Sequence, residues 1–149
     1  MNITKVELGN RIKFLPKHFP APLYLNVEQA IYTYASHFID GYCGGYWEFY
    51  ELGKRKAPLM LFKKIDEPII LISDFGTVYK TNTQTASIAI NLMVINHLVF
   101  EFYATNKKNI AEHLQRVYEN LDNWVFGAET AEEVEAFNID RRVISRFLD

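Results

Sequence analysis

GGYWEFYEL, Gly44 to Leu52, is the stretch on which the fold of this chain turns. Two glycines mark a turn, and the aromatic run behind them favours pleated, half-buried backbone. Trp47 and Phe49 alternate with Tyr46, Glu48 and Tyr50, so a strand here sends one set into a core and leaves the other half wet. Glu48 and Glu51 are an odd number of residues apart and are expected on opposite faces. That separation argues against a paired acid and base of the kind a hydrolase uses.

Outward from this strand, shorter β-like runs follow at Leu59 to Phe62, Ile69 to Ile72 and Thr77 to Tyr79. Gly53 to Lys56, Asp66 to Pro68 and Ser73 to Gly76 separate them, which predicts an antiparallel meander of about four strands. Upstream, Asn26 reads as the N-cap of a helix whose Val27, Ala30, Ile31, Tyr34 and Phe38 share a face and which ends before Gly41. Downstream, apolar residues cover nearly the whole circumference from about Thr83 to Tyr103, the pattern of a helix buried on several sides. Asn106 then reads as the cap of a helix striped by Ile110, Leu114, Val117 and Leu121. Thr130 and Glu133 have the spacing of a capping box that opens a last helical region.

Consecutive strands bracketed by about four helices predict an α+β fold. No repeat or linker divides the chain, so a single domain is expected over residues 11–149, behind a loosely held, flexible arm of residues 1–10. Pro16, Pro20 and Pro22 are expected to keep the segment after the arm extended, with Phe14, Leu15 and Phe19 pinning it to the core.

With 49% hydrophobic and 23% charged residues over 149 positions, the chain suits a packed domain, and one of this size buries roughly 70% of the surface its unfolded chain exposes. Sixteen basic against eighteen acidic residues provide neither an overall footprint for phosphates nor a strongly acidic surface. Cys43 is the single cysteine, so no intramolecular disulfide forms, and it reads as an inert thiol. MNITKVELGN carries no secretory h-region. The apolar run Ala86 to Phe100, broken by Asn91, Asn96 and His97, falls short of the ~20 residues of a membrane span. A cytoplasmic protein without membrane contact is expected.

Nucleotide-binding, zinc and acyl-transfer motifs are absent, which argues against an enzyme. His18, His37, His97 and His113 show no metal-ligand spacing, and neither metal nor cofactor is expected. His97, within the apolar helix, is expected to organise the core through hydrogen bonds. Lys54, Arg55 and Lys56 form a basic loop, with Lys63 and Lys64 near it. That loop is either a nucleic-acid contact or a solvated hairpin tip whose lysines protect an edge. Glu129, Glu132, Glu133 and Glu135 cluster ahead of Arg141 and Arg142, which suits a helix N-terminus and also a basic partner surface.

GGYWEFYEL resembles the signature of the antirestriction protein family that includes KlcA and ArdB. The resemblance extends to RIKFLPKHF at Arg11 to Phe19, Ala57 with Pro58, SIAINLMVINHL at Ser87 to Leu98, and VISRFLD at Val143 to Asp149. Two features depart from the family pattern: the turn Gly53 to Lys56 is shorter and basic, and Gln84 stands where an acidic residue is typical. The resemblance implies inhibition of type I restriction endonucleases, sparing modification and protecting incoming mobile-element DNA. The implied partner is the type I restriction-modification complex or an associated host factor, with direct DNA binding weak or absent.

Charge speaks to the mechanism. B-DNA carries one charge per roughly 1.7 Å of axis, so a replica about 35 Å long needs on the order of twenty negative charges on one face. Eighteen acids balanced by sixteen bases do not supply them, so a mechanism other than DNA mimicry is expected. Tyr46, Glu48, Tyr50, Glu51, Lys54 and Arg55 are the candidate partner-binding residues. The alternative is a DNA-binding accessory protein of a mobile element that uses the basic loop 53–64.

Overall fold

A computed structural model describes residues 2–63 and 67–149. Lys64 and Asp66, placed by the sequence reading in the basic patch and a turn, lie outside the described residues. The fold is α+β. Among the described residues, strands β1 (Ile3–Lys5), β2 (Tyr46–Leu52) and β3 (Ala57–Lys63) form one antiparallel sheet, and β4 (Ile69–Ile72) and β5 (Val78–Thr81) form a second. Helices α1 (Arg11–His18), α2 (Leu23–Phe38), α3 (Thr83–Ala104), α4 (Lys108–Phe126), α5 (Ala131–Ala136) and α6 (Arg141–Leu148) pack around them.

The helices bury the faces that their spacing announces. Val27, Ile31, Ala35 and Phe38 turn inward on α2, and Leu114, Val117, Leu121 and Trp124 on α4. α3 is buried nearly all round and contacts both β3 and α4. By length and composition α3 could cross a membrane, but 78% of its most apolar 18-residue window is buried inside the fold. It is the spine of the core.

α3 also explains why the expected single meander divides into two sheets. Asn91 accepts the Met60 N–H at 3.1 Å and donates to the Met60 carbonyl at 2.9 Å, while the Ser87 hydroxyl accepts the Phe62 N–H at 2.8 Å. Helix side chains thus occupy the outward backbone groups of β3, where the next strand would otherwise pair. β4 pairs instead with β5, and Leu71 forms a bridge to Ile39.

Several local expectations are corrected. Residues Ile3–Lys5 of the expected flexible arm pair with Leu52, Glu51 and Tyr50 as an edge strand. Trp47, Glu48 and Phe49 are buried in succession, so neither face of β2 is half wet there: Trp47 and Phe49 pack into the hydrophobic core, and the Lys5 and Lys63 side chains reach over Glu48 on the other face. The segment expected to be extended is helix α1, with Pro16 inside it. Pro16 has no N–H to give the Ile12 carbonyl, and Ile12 lies on the exposed side of the helix, 84% exposed.

Asn26 lies within α2, which starts at Leu23. Asn106 closes α3 rather than opening α4: at φ 61° it lets Lys107 N–H reach the Phe102 carbonyl and its own N–H reach Tyr103, a Schellman closure. The Thr130–Glu133 capping box does not form, because Thr130 has ψ 9° rather than an extended backbone. The Thr130 hydroxyl donates to the Trp124 carbonyl at 2.5 Å, and Glu133 accepts the Asn2 N–H at 3.2 Å. His97 is exposed and meets the Tyr34 hydroxyl at 2.7 Å, outside the core it was expected to organise.

Candidate partner-binding surface

β2 carries Glu48 and Glu51 to opposite faces of its sheet, and each carboxylate is neutralised there. Glu48, 4% exposed, pairs with Lys5 from β1 and, at 3.5 Å, with Lys63 from β3. The cross-strand register sets this contact: Lys5 opposes Tyr50 and Lys63 opposes Tyr46, each one pleat from Glu48 on the same face. Burial pushes the Glu48 carboxyl up, but the two lysines outweigh it and hold the group below the usual carboxylate range. Tyr50 is half-buried with its ring 5.4 Å from that of Phe137, and burial raises its pKa.

On the other face, Lys17 donates to Glu51 at 2.8 Å and His18 to the same oxygen at 2.5 Å. Burial again opposes ionisation, and these two donors together hold Glu51 below its ordinary value. Burial lowers the His18 pKa against the pull of Glu51, and the ring donates Nε2–H to the carboxylate. His113 in turn donates to the His18 carbonyl at 2.7 Å. Two separated, lysine-bound carboxylates are built to tie strands and helix together, and they do not converge on a shared substrate position.

Arg11 bridges this inner structure to the surface. Its guanidinium donates to the Trp47 carbonyl at 2.6 Å and lies 4.5 Å from the centre of the Phe49 ring and 4.8 Å from that of Tyr46. Phe14 stacks on Phe49 at 4.7 Å. Outside them, Tyr46 is 50% exposed, and Leu8 and Ile12 expose most of their surface. Arg11, Lys17 and His18 are absent from the sequence-derived set. Arg11, Phe14 and His18 do recur at helical spacing, a signal masked by reading Pro16 as a barrier to helix.

Lys54 and Arg55 lie elsewhere, at the tip of the β2–β3 hairpin, and both are exposed. With Asn120, Trp124, Glu129 and Glu133 from α4, α5 and the loop joining them, they line a cavity of about 550 Å³. Arg55 reaches Asn120 at 3.5 Å, a weak contact. Gly53 is required at the base of the turn: its φ is 76°, and a Cβ there would stand 2.9 Å from Trp124 Cδ1. The candidate residues therefore separate into two ion-paired carboxylates on opposite faces, Glu48 buried and Glu51 half-buried, half-buried Tyr50, exposed Tyr46 beside Arg11, and a hairpin tip at a distinct cavity.

No protein-family profile matches the chain. The uncharacterized proteins YfjX and YafX of Escherichia coli strain K12 are 29% and 31% identical to it over 99 residues. Each match spans 65% of this chain and 65% of the relative's length. A solved structure of the KlcA and ArdB proteins superposes with a TM-score of 0.70 at 22% identity, over 92% of this chain and 96% of the other. The KlcA and ArdB proteins have a novel fold and show antirestriction activity against type I DNA restriction systems in vivo but not in vitro. The chain has the KlcA/ArdB fold.

Proposed function

We propose that this chain, having the KlcA/ArdB fold, inhibits host type I restriction endonucleases while sparing modification, and so protects incoming mobile-element DNA. The observation that carries this reading is the match of fold over 92% of the chain to proteins with antirestriction activity. Its agreement with the sequence islands at Gly44 to Leu52, Arg11 to Phe19 and Ser87 to Leu98 supports it further.

The mechanism is binding to the restriction-modification complex or to an associated host factor, without imitation of DNA. The charge distribution supports this: Glu48 and Glu51 are each paired with lysines, and sixteen basic residues offset the eighteen acidic ones. No face then carries the ~20 uncompensated negative charges that a duplex replica requires. Activity of the KlcA and ArdB proteins in vivo but not in vitro also fits an inhibitor that works through a cellular factor or at a later step such as translocation.

Tyr46, with Arg11 beneath it, is the contact proposed for this partner, since exposed aromatic and arginine pairs are the usual anchors of interfaces. The alternative use of loop 53–64 on DNA gains no support, because Lys63 is paired with Glu48 and the tip residues Lys54 and Arg55 share a cavity with Glu129 and Glu133. The test is plating of an unmodified phage on cells with an active type I system, with and without the chain expressed. Recovered plaques with modification intact are expected, reduced by Tyr46→Ser; no recovery despite confirmed expression would sink the reading.

A further inference from the structure

We infer that the outer edge of β5 is a docking site for an extended, acidic segment of a partner protein, which joins the β4–β5 sheet as a third, antiparallel strand. This inference stands apart from the inhibitory reading, which the plating assay tests by itself.

The backbone of β5 points to a strand as the occupant. Its register pairs Ile72 with Val78, Leu71 with Tyr79, Ile70 with Lys80 and Ile69 with Thr81. One step nearer the turn, the Ser73 N–H donates to the Thr77 carbonyl at 2.9 Å, and bonded and non-bonded pairs alternate along an antiparallel ladder. Tyr79 and Thr81 therefore bond to β4, and the N–H and C=O groups of Val78 and Lys80 point away from it. The same alternation holds on the far side of β4, where the outward Ile70 carbonyl accepts the Asp40 N–H at 2.9 Å. That bond and the Ile39–Leu71 bridge cover β4, as Asn91 and Ser87 cover β3. Among the described residues, β5 has β4 as its single strand neighbour, and no hydrogen bond reaches the outward groups of Val78 or Lys80. Two donors and two acceptors at strand spacing are what an added strand pairs with.

The side chains along this edge select the chemistry of that strand. Val78 and Lys80 share the solvent face, Val78 is 55% exposed, and Phe75 at the tip of the hairpin is 89% exposed. Past Lys80, an open cleft of about 700 Å³ brings Arg142 of α6 beside Lys80 and Thr81. Among the described residues neither Lys80 nor Arg142 has an ion-pair partner. Pairing β5 with its own copy through both outward residues would set the two Lys80 side chains diagonally on one face, so this lysine guards the edge against self-association. An acidic strand meets the same lysine with opposite charge. Run antiparallel to β5, it places an acidic residue opposite Lys80 and an apolar one, two positions later, opposite Val78; an earlier acidic residue extends toward Arg142.

The probe is an end-blocked octapeptide, Thr-Glu-Thr-Glu-Thr-Val-Thr-Ile, titrated into the ¹⁵N-labelled chain, with amide hydrogen exchange read by NMR. Exchange of the Val78 and Lys80 amides is expected to slow saturably by about tenfold or more, while the Tyr79 amide, already bonded to β4, is unchanged. Lys80→Glu, at an exposed position, is expected to weaken binding of this peptide by about fivefold and to favour a version with lysine at both glutamate positions. The same peptide N-methylated at its valine lacks one ladder donor and is expected not to bind. The inference is overturned if millimolar peptide protects neither amide, if the N-methylated peptide binds equally well, or if the unchanged chain takes the lysine version as readily. Protection that grows with the concentration of the chain alone would assign the edge to a second copy and overturn it too.

Discussion

Replacing Asn91 with alanine removes the partner of two buried backbone groups on a strand far away in sequence. Met60 is 1% exposed, and its N–H and carbonyl each take their outward hydrogen bond from the Asn91 amide. Leaving a buried donor or acceptor unsatisfied costs about 1–3 kcal/mol, so the pair sums to roughly 2–6 kcal/mol. Partial relaxation into the vacated space makes about 3 kcal/mol the expected loss, a large share of the roughly 5–15 kcal/mol that holds such a domain together. For a chain of this length, that lowers the melting temperature by about 6–12 °C. Urea unfolding gives the energy, and native-state amide exchange gives the location. The Met60 amide is expected to lose protection, while the Phe62 amide, held by Ser87, keeps it. A loss below about 1 kcal/mol, or equal deprotection of both amides, would refute the claim that Asn91 completes the edge of β3.

Gly53→Ala puts a Cβ against buried Trp124 at a backbone φ of 76°, and a destabilisation of about 2 kcal/mol is expected in thermal unfolding; an unchanged melting temperature would contradict the close approach. Stability is also expected to decline on acidification. Glu48, Glu51 and His18 all have folded pKa values below their ordinary ones, so each contributes stability that is present above its unfolded pKa and lost as pH falls through the folded value. The His18 share fades first, below about pH 6.5, and the carboxylate shares below about pH 4. A urea midpoint that stays level from neutral pH through this range would exclude these pairs as contributors, and Glu48→Gln is expected to flatten the lower limb.

Much of the fold is legible locally. The aromatic run Tyr46 to Leu52 becomes β2 with the limits its glycines and basic turn suggest, Ile69 to Ile72 becomes β4, and the all-round apolar pattern after Thr83 becomes the buried α3. Periodicity and turn chemistry are properties of neighbours in the chain, and neighbours suffice to set them. Opposite faces for Glu48 and Glu51 follow from the same pleat.

Only the tertiary structure decides what those elements meet. Asn91 breaks an apolar pattern in the sequence, and its role exists only where α3 lies along β3 and replaces a strand's hydrogen bonds with an amide. Pro16 is a strong local signal against helix, overridden because Phe14 and Leu15 are buried while Ile12 faces water. The lysines that neutralise Glu48 come from two strands set on either side of it by register, and the histidine beside Glu51 comes from a helix that local rules exclude. Lys54 and Glu129 are 75 positions apart and share a cavity only because the hairpin tip rests on the end of α4. Hydrogen-bond satisfaction and charge pairing depend on distances between residues remote in sequence, which the packing of the core fixes.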